Sequence, residues 1–303
     1  MNDLIKNGAY SIVLGKNHYQ EFLPEKKNKL LKITNINERH NEFKYLDIVR
    51  TIDNYSNYYS IPDETSYLIK PSDKFYNNLK KLVKNKHMNI FYESIQCFYI
   101  DYAGDKELLD TICHLRDYGD FSFWNSYKMI LHFTKTIMDG LNYLHQKKIC
   151  HLDVKSENIM VNTRTHHFKL IDFGFSSIEP FDDYVHDIRG TPGYFPKYFE
   201  NEVITPWLPK IKANDMEPVN GLLPMINNRK LVYKIDSYCL GRVLYFLKYV
   251  YDNYNYNYSC SCFNNHNKHD NIRVKLNKII ASLIQKDVNR RLTIQQCLDK
   301  YLI

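Results

Sequence analysis

The sequence predicts an α+β protein in two lobes, a small strand-rich one followed by a larger, mostly helical one. Three observations carry this. Short apolar stretches separated by polar turns crowd the first third of the chain. Apolar residues at helical spacing dominate the rest. The length of 303 residues exceeds the ~100–200 residues of an ordinary domain, as two lobes around a cleft would. The division is placed at residues 1–101 for the first lobe and 102–303 for a hinge and second lobe.

In the first lobe, Ile5–Leu14 (around Gly8) and Leu30–Ile33 read as strands joined by the polar loop Lys16–Asn28. Glu38–Ile52 has helical spacing, with Phe43, Leu46 and Val49 three residues apart. Tyr55–Ser66 is polar and reads as loop, Phe75–Lys86 as a short basic helix, and Ile95–Tyr102 as a strand broken by Ala103–Gly104. In the second lobe, Trp124–His145 is the clearest helix, with Tyr127, Ile130, Thr134, Ile137, Leu141 and Leu144 on one face. Two short strands follow, Asn158–Val161 and Phe168–Ile171. Asp236–Tyr251, Ile272–Gln285 and Thr293–Leu302 read as helices, and the low-complexity stretch Asn253–Asp270 as loop.

Composition removes several function classes. Hydrophobic content of 44% and charged content of 25% exclude a disordered, collagen-like or membrane-embedded chain. No stretch reaches the ~18 apolar residues of a span, since Leu240–Tyr251 is interrupted by Arg242 and Lys248; no membrane partner is expected. A net charge of +7 permits acidic partners without specifying one. The basic clusters Lys26, Lys27, Lys29 and Lys80, Lys81, Lys84, Lys86 lie among Asn and apolar residues, the pattern of solvated faces, so nucleic acid is not expected as a partner. The seven Cys and the polar start Met1–Gly15 point to an intracellular, cytoplasmic chain with reduced thiols.

The chemistry concentrates in His151-Leu152-Asp153-Val154-Lys155-Ser156-Glu157-Asn158, followed by Asp172-Phe173-Gly174. A strand, a turn and a second strand separate Asn158 from Asp172 and can bring them together. A carboxylate and an amide oxygen are hard ligands suited to Mg²⁺ with phosphate. Asp153 is then free to accept a proton from an attacking hydroxyl, and Lys155 to neutralise charge on a transferring phosphoryl group.

These segments resemble the catalytic loop and metal-binding motif of eukaryotic-type serine/threonine protein kinases, and the resemblance runs along the whole chain as one kinase domain, 1–303. Ile5 to Val13, with Gly8, is similar to the phosphate-covering loop. Leu30-Leu31-Lys32 resembles the third strand with its phosphate-binding lysine, and Glu42, with Glu38 as its rival, the helix glutamate that pairs with it. Asp101-Tyr102-Ala103 resembles the hinge, with Ile100 as gatekeeper. Gly190-Thr191-Pro192-Gly193-Tyr194, Asp236 to Gly241, and Asp287 to Thr293 resemble later motifs, in the family's order. The resemblance implies a bilobal kinase fold, ATP and Mg²⁺ as cofactors, and protein substrates carrying Ser or Thr. It implies Asp153 and Lys155 as catalytic residues and Asn158 and Asp172 as metal ligands. Ile5, Gly8, Val13, Lys32, Glu42, Tyr102 and Met160 would surround the nucleotide.

The pattern also departs from the family. Lys6 and Ser11 stand where glycines let backbone approach phosphate, and Leu30 where a smaller residue usually lies over adenine. Leu152 replaces the arginine that often receives an activating phosphate, so activation by that route is not expected. Tyr198 replaces a glutamate that would pair with Arg291; Glu200 or another partner is expected instead. Asn201–Lys230 is an insert that either gates substrate or is tolerated loop. Cys260, Cys262, His266 and His269 have zinc-ligand chemistry, although a surface insertion is the preferred reading. Two rival functions stay open, a pseudokinase serving as a nucleotide-gated scaffold and a small-molecule kinase.

Overall fold

The computed structural model describes residues 4–7, 11–15, 19, 23, 26, 29–35, 44–69, 95–182, 190–196, 228–258 and 266–302. The chain divides into two compact units, Met1–Leu46 with Ser60–Tyr102, and Asp47–Tyr59 with Ala103–Ile303.

The first unit is built on a five-stranded antiparallel sheet of β1 (Leu4–Asn7), β2 (Ser11–Leu14), β3 (Lys29–Asn35), β4 (Pro62–Ile69) and β5 (Ile95–Asp101), in the order β1-β2-β3-β5-β4. Ile12, Leu14, Leu31, Ile33, Cys97 and Tyr99 are buried along the three central strands, which fixes the register because a one-residue slip would turn them to the other face. Val13 pairs with Lys32 and Lys32 with Phe98, so these three share one cross-strand row, which Lys6 continues on β1. Lys29 closes the far end of β3 with ion pairs to Asp63 at 2.8 Å and Asp101 at 2.9 Å.

β4 lies largely within a segment read from sequence as loop. It is an edge strand, and its Asp63, Glu64 and Ser66 face solvent more than core. Edge strands favour charge and open with proline, so the alternation that marks a half-buried strand is missing.

The second unit holds α1 (Leu46–Arg50, of which Asp47 onward belongs here), β6 (Lys106–Glu107), α2 (Leu108–Tyr118), α3 (Tyr127–Gln146), β7 (Ile149–Cys150), β8 (Ile159–Asn162), β9 (His167–Leu170), β10 (Ser177–Ile178), α4 (Tyr233–Tyr258), α5 (His266–Leu283) and α6 (Ile294–Tyr301). α3 starts where the Ser126 side chain accepts the Met129 amide, the usual way an N-cap satisfies an orphan donor. Its apolar stripe buries Ile130, Phe133, Ile137, Leu141 and Leu144. Just before it, fully buried Trp124 stacks on Phe168 (centroids 6.1 Å apart) and donates its indole N–H to Thr111 at 3.1 Å.

α4 is longer than its sequence signal. The expected end at Tyr251 and loop from Asn253 give way to helix through Tyr258, and helix resumes at His266. The Asn/Tyr run has modest helix propensity, but it contains no Gly or Pro to break a helix already propagating. α4 and α5 touch at Gly241, where a Cβ would meet the Ile284 side chain at 2.6 Å and the Leu283 Cβ at 2.9 Å. Gly241→Ala is therefore expected to destabilise the protein by about 1–3 kcal/mol, the usual cost of overpacking a tight core, read as a lowered urea midpoint with unchanged m-value. No helix among the described residues is long and apolar enough to cross a membrane.

The remaining helical expectations fall differently. Of Glu38–Ile52, Leu46–Arg50 is helical and residues 36–43 lie outside the described residues; so does the proposed helix Phe75–Lys86.

Candidate active site

The site grows from a loop between two short strands. After β7 the chain turns at Leu152, whose φ is +64°. A non-glycine residue costs about 1–2 kcal/mol in that left-handed region. The turn is held from below by Asp236 in the first turn of α4. Its fully buried carboxylate accepts the backbone N–H groups of His151 at 2.9 Å and Leu152 at 2.7 Å, and His145 Nε2 at 2.9 Å. Burial opposes this charge, but the His145 hydrogen bond, the nearby His145 and His151 rings and the Leu152 amide hold the carboxyl below its ordinary value. The His145, Cys150 and Asp236 ligand atoms lie within 4.8 Å of one another. Since burial pushes the Cys150 thiol well up and Asp236 already accepts three N–H groups, the cluster is an anchor for the loop rather than a metal centre.

The loop presents Asp153, which is 6% exposed. Lys155 Nζ donates to Asp153 Oδ2 at 2.7 Å and to Thr191 Oγ1 at 2.8 Å, and Thr191 Oγ1 donates to Asp153 Oδ1 at 2.6 Å. The three side chains form a closed triangle. Asn158 Nδ2 donates to the Asp153 carbonyl at 3.0 Å and to Asp153 Oδ2 at 2.8 Å. With its nitrogen so committed, the amide turns its oxygen away from Asp153.

β8 and β9 bring Asn158 to Asp172. The Ile171 N–H donates to the Asn158 carbonyl at 3.0 Å, immediately before Asp172. Asp172 takes φ +65°, is exposed, and accepts the Gly174 N–H at 3.2 Å. Two hard oxygen donors thus sit at the adjoining ends of neighbouring strands, which fits a magnesium-type ion. Phe173 is buried between the His151 ring at 5.1 Å and the Tyr59 ring at 5.8 Å, and His151 Nε2 bonds the Ile171 carbonyl at 3.1 Å. His151 is thereby a structural strut.

The family model described as Protein kinase domain matches residues 63–206, the stretch that contains this triangle. That stretch of the chain is similar to a protein kinase domain.

Among curated kinases, human Death-associated protein kinase 2 is 49% identical over 67 residues, which is 20% of this chain and 18% of that protein. Rat Myosin light chain kinase 2 is 25% identical over 247 residues, 75% of this chain and 35% of that protein. A probable serine/threonine-protein kinase of Dictyostelium discoideum is 31% identical over 115 residues, 38% of this chain and 13% of that protein. The chain therefore spans well under half the length of these relatives. The structure of the Cydia pomonella granulovirus kinase PK-1 aligns with a TM-score of 0.57 at 17% identity, covering 100% of this chain and 92% of that one; this establishes the protein kinase fold.

The other residues singled out from the kinase resemblance lie as follows. Lys32 is buried in the middle of β3 and Val13 faces it across the β2–β3 ladder. Ile5 sits at the irregularity of β1 between Leu4 and Lys6. Tyr102, half-buried, follows β5, and Met160 is buried in β8. Gly8 and Glu42 lie outside the described residues, as do Tyr198, Glu200, Cys260, Cys262 and nearly all of the 201–230 insert. Of the four candidate zinc ligands, only the backbone of His266 and His269 is described, on α5. Arg291 is fully buried, donates to the carbonyls of Gln285 at 3.0 Å and Lys234 at 3.3 Å, and lies over the Tyr238 ring at 4.7 Å.

Sequence reasoning did not assign Thr191 and Asp236 to the site, although both stood inside recognised motifs. An aspartate opening an otherwise apolar helix was the available signal for Asp236. Nothing local marked Arg242, which is buried and donates to the Gly193 carbonyl at 3.0 Å.

Proposed function

We propose that this chain is a protein kinase that transfers the γ-phosphoryl group of Mg·ATP to Ser or Thr hydroxyls of protein substrates. The observation that carries the reading is the Asp153–Lys155–Thr191 triangle with Asn158 bonded to its base. Asp153 would exchange one of its present partners, Thr191 on Oδ1 or Lys155 on Oδ2, for the incoming hydroxyl and accept its proton as the oxygen attacks phosphorus and ADP leaves. Lys155 holds Asp153 in place and offers positive charge to the transferring oxygens. Asn158 and Asp172 would hold Mg²⁺, which supplies charge neutralisation on the phosphates. Lys32, paired with Glu42, would hold the α- and β-phosphates, and Ile5, Gly8, Val13, Tyr102 and Met160 would line the nucleotide. Catalysis is then chiefly positioning and fixed charge. The Ser/Thr preference rests on Lys155 and Thr191 and on the names of the distant relatives.

The test is transfer of labelled γ-phosphate to a generic basic protein, followed by phosphoamino-acid analysis, with sugars and aminoglycosides as competing acceptors. Phosphoserine or phosphothreonine, abolished by EDTA, is the expected result. Label on tyrosine alone, or on the small molecules alone, would overturn the substrate assignment. Binding of Mg·ATP without transfer would favour the scaffold reading instead.

A further inference from the structure

Among the described residues, two groups of side-chain hydrogen bonds join the 190–196 segment to the 151–158 loop. Thr191 makes the first contact, on Asp153 and Lys155. The second is a group of three oxygens: Ser156 Oγ and Tyr194 Oη lie 2.5 Å apart, Tyr194 Oη donates to Glu157 Oε2 at 3.0 Å, and Ser156 Oγ lies 3.1 Å from the same oxygen. Ser156 is fully buried and Tyr194 is 1% exposed, so these hydroxyls bond each other and Glu157 in a place largely closed to water. Burial first, and then the Glu157 charge, push the Tyr194 phenol far up, so it remains a donor.

Both contacts are rigidly linked within each segment. The Tyr194 N–H donates to the Thr191 carbonyl at 3.1 Å, closing a turn. The Asn158 N–H donates to the Lys155 carbonyl at 3.0 Å, closing a 3₁₀ turn across Ser156 and Glu157. In such a turn successive side chains diverge by about 120°, so Lys155 reaches Thr191 while Ser156 reaches Tyr194. The result is a closed circuit from Asp153 through Thr191, the turn to Tyr194, Ser156 and the backbone back to Asp153. A second contact to the loop, beside the Arg242 bond to the Gly193 carbonyl, restricts how far Thr191 can pivot on Asp153.

We infer that Ser156 is a positioning residue: with Tyr194 it forms the second attachment that keeps Thr191 and Lys155 seated on the catalytic carboxylate. This rests on the phosphotransfer reading. A displacement of about 1 Å at a reacting group can cost up to ~10²-fold in rate; loss of one of two attachments is a partial displacement, expected to cost roughly 5–10-fold.

The experiment uses the full-length protein with Mg·ATP and a generic basic protein substrate. Ser156→Ala and Tyr194→Phe should each lower kcat roughly 5–10-fold while KM for Mg·ATP stays within about twofold. The double variant should fall no further than Tyr194→Phe alone, because that change already removes the Ser156 contact along with the Tyr194–Glu157 bond. Ser156→Thr, which keeps the hydroxyl, should return kcat to within about twofold of wild type. A merely structural role would lower the melting temperature without this split or this rescue. Unchanged kcat in both singles, multiplying effects in the double, or a Thr variant no better than Ala would each overturn the inference. If Ser156→Ala does not fold, Tyr194→Phe and Ser156→Thr decide it by the same criteria. A wild-type protein inactive beside a working control kinase would overturn the phosphotransfer reading itself, and this inference with it.

Discussion

Asp153→Asn should lower phosphoryl transfer by about 10²–10⁴-fold, the range that general-base catalysis contributes, with little change in folding. The substitution keeps the shape of the side chain, so Asn158, Lys155 and Thr191 retain a partner of the same size. It removes the basic oxygen that would take the hydroxyl proton and the negative charge that Lys155 faces at 2.7 Å. The nucleotide site is left alone, so KM for Mg·ATP should stay near the wild-type value. Initial rates at saturating ATP, together with a thermal melt, provide the check. A variant as active as wild type would remove Asp153 from the role of base; a variant that no longer melts cooperatively would mean the charge is needed for the fold instead.

Asp236→Ala should be the most damaging single change to stability, at about 3–5 kcal/mol, the usual cost of removing one member of a buried charged network. Three donors would lose their acceptor together: the His151 and Leu152 amides and the His145 ring. The two amides cannot turn to solvent, because the carboxylate site is fully buried. Leu152 would also lose the bond that holds it in its left-handed conformation. At roughly 2–4 °C per kcal/mol for a chain of this size, the melting midpoint should fall by about 10 °C. The same residue predicts an acid limb. Its folded pKa lies below the ordinary aspartate value of 3.8, so its contribution is complete above the unfolded value and is lost as pH falls through the lower, folded one. Wild type should therefore lose stability relative to Asp236→Asn as pH is lowered past 3.8, measured as converging urea midpoints. Parallel curves down to the acid transition would mean that the carboxylate is not the group titrating.

The grouping of the candidate site residues was legible because it is local. Asp153, Lys155 and Asn158 fall within one short run, and Asp172 follows a β-hairpin whose two strands could be read from their apolar pattern. The anchors were harder to see because they depend on pairs distant in sequence: Asp236 reaches back to Leu152, and Arg242 to Gly193. No spacing rule links such residues before the helices are packed. In the fold, the strongly periodic Trp124–His145 stretch was found as a helix that starts three residues later, at Tyr127, and ends one later, at Gln146. β4 was missed because an edge strand carries Asp63 and Glu64 where a central strand carries apolar residues. The extension of α4 to Tyr258 was missed because low complexity reads as loop even where nothing breaks the helix.

The segment 47–59 belongs to the helical unit although it precedes two strands of the sheet. Tyr59 donates its hydroxyl to the Gly140 carbonyl at 2.5 Å and packs on Phe173, and the Tyr58 carbonyl accepts the Leu170 amide at 2.8 Å. These partners are synthesised long after residue 59. During translation the sheet of the first unit can pair as soon as β5 has emerged, whereas residues 47–59 must wait for Phe173 to leave the ribosome. No single cut in the chain separates the two units cleanly. A fragment beginning at residue 103 would leave Phe173 without Tyr59 against its ring and the Leu170 amide without its acceptor, so expression of the helical unit alone requires residues 47–59 to be supplied, in cis or as a peptide.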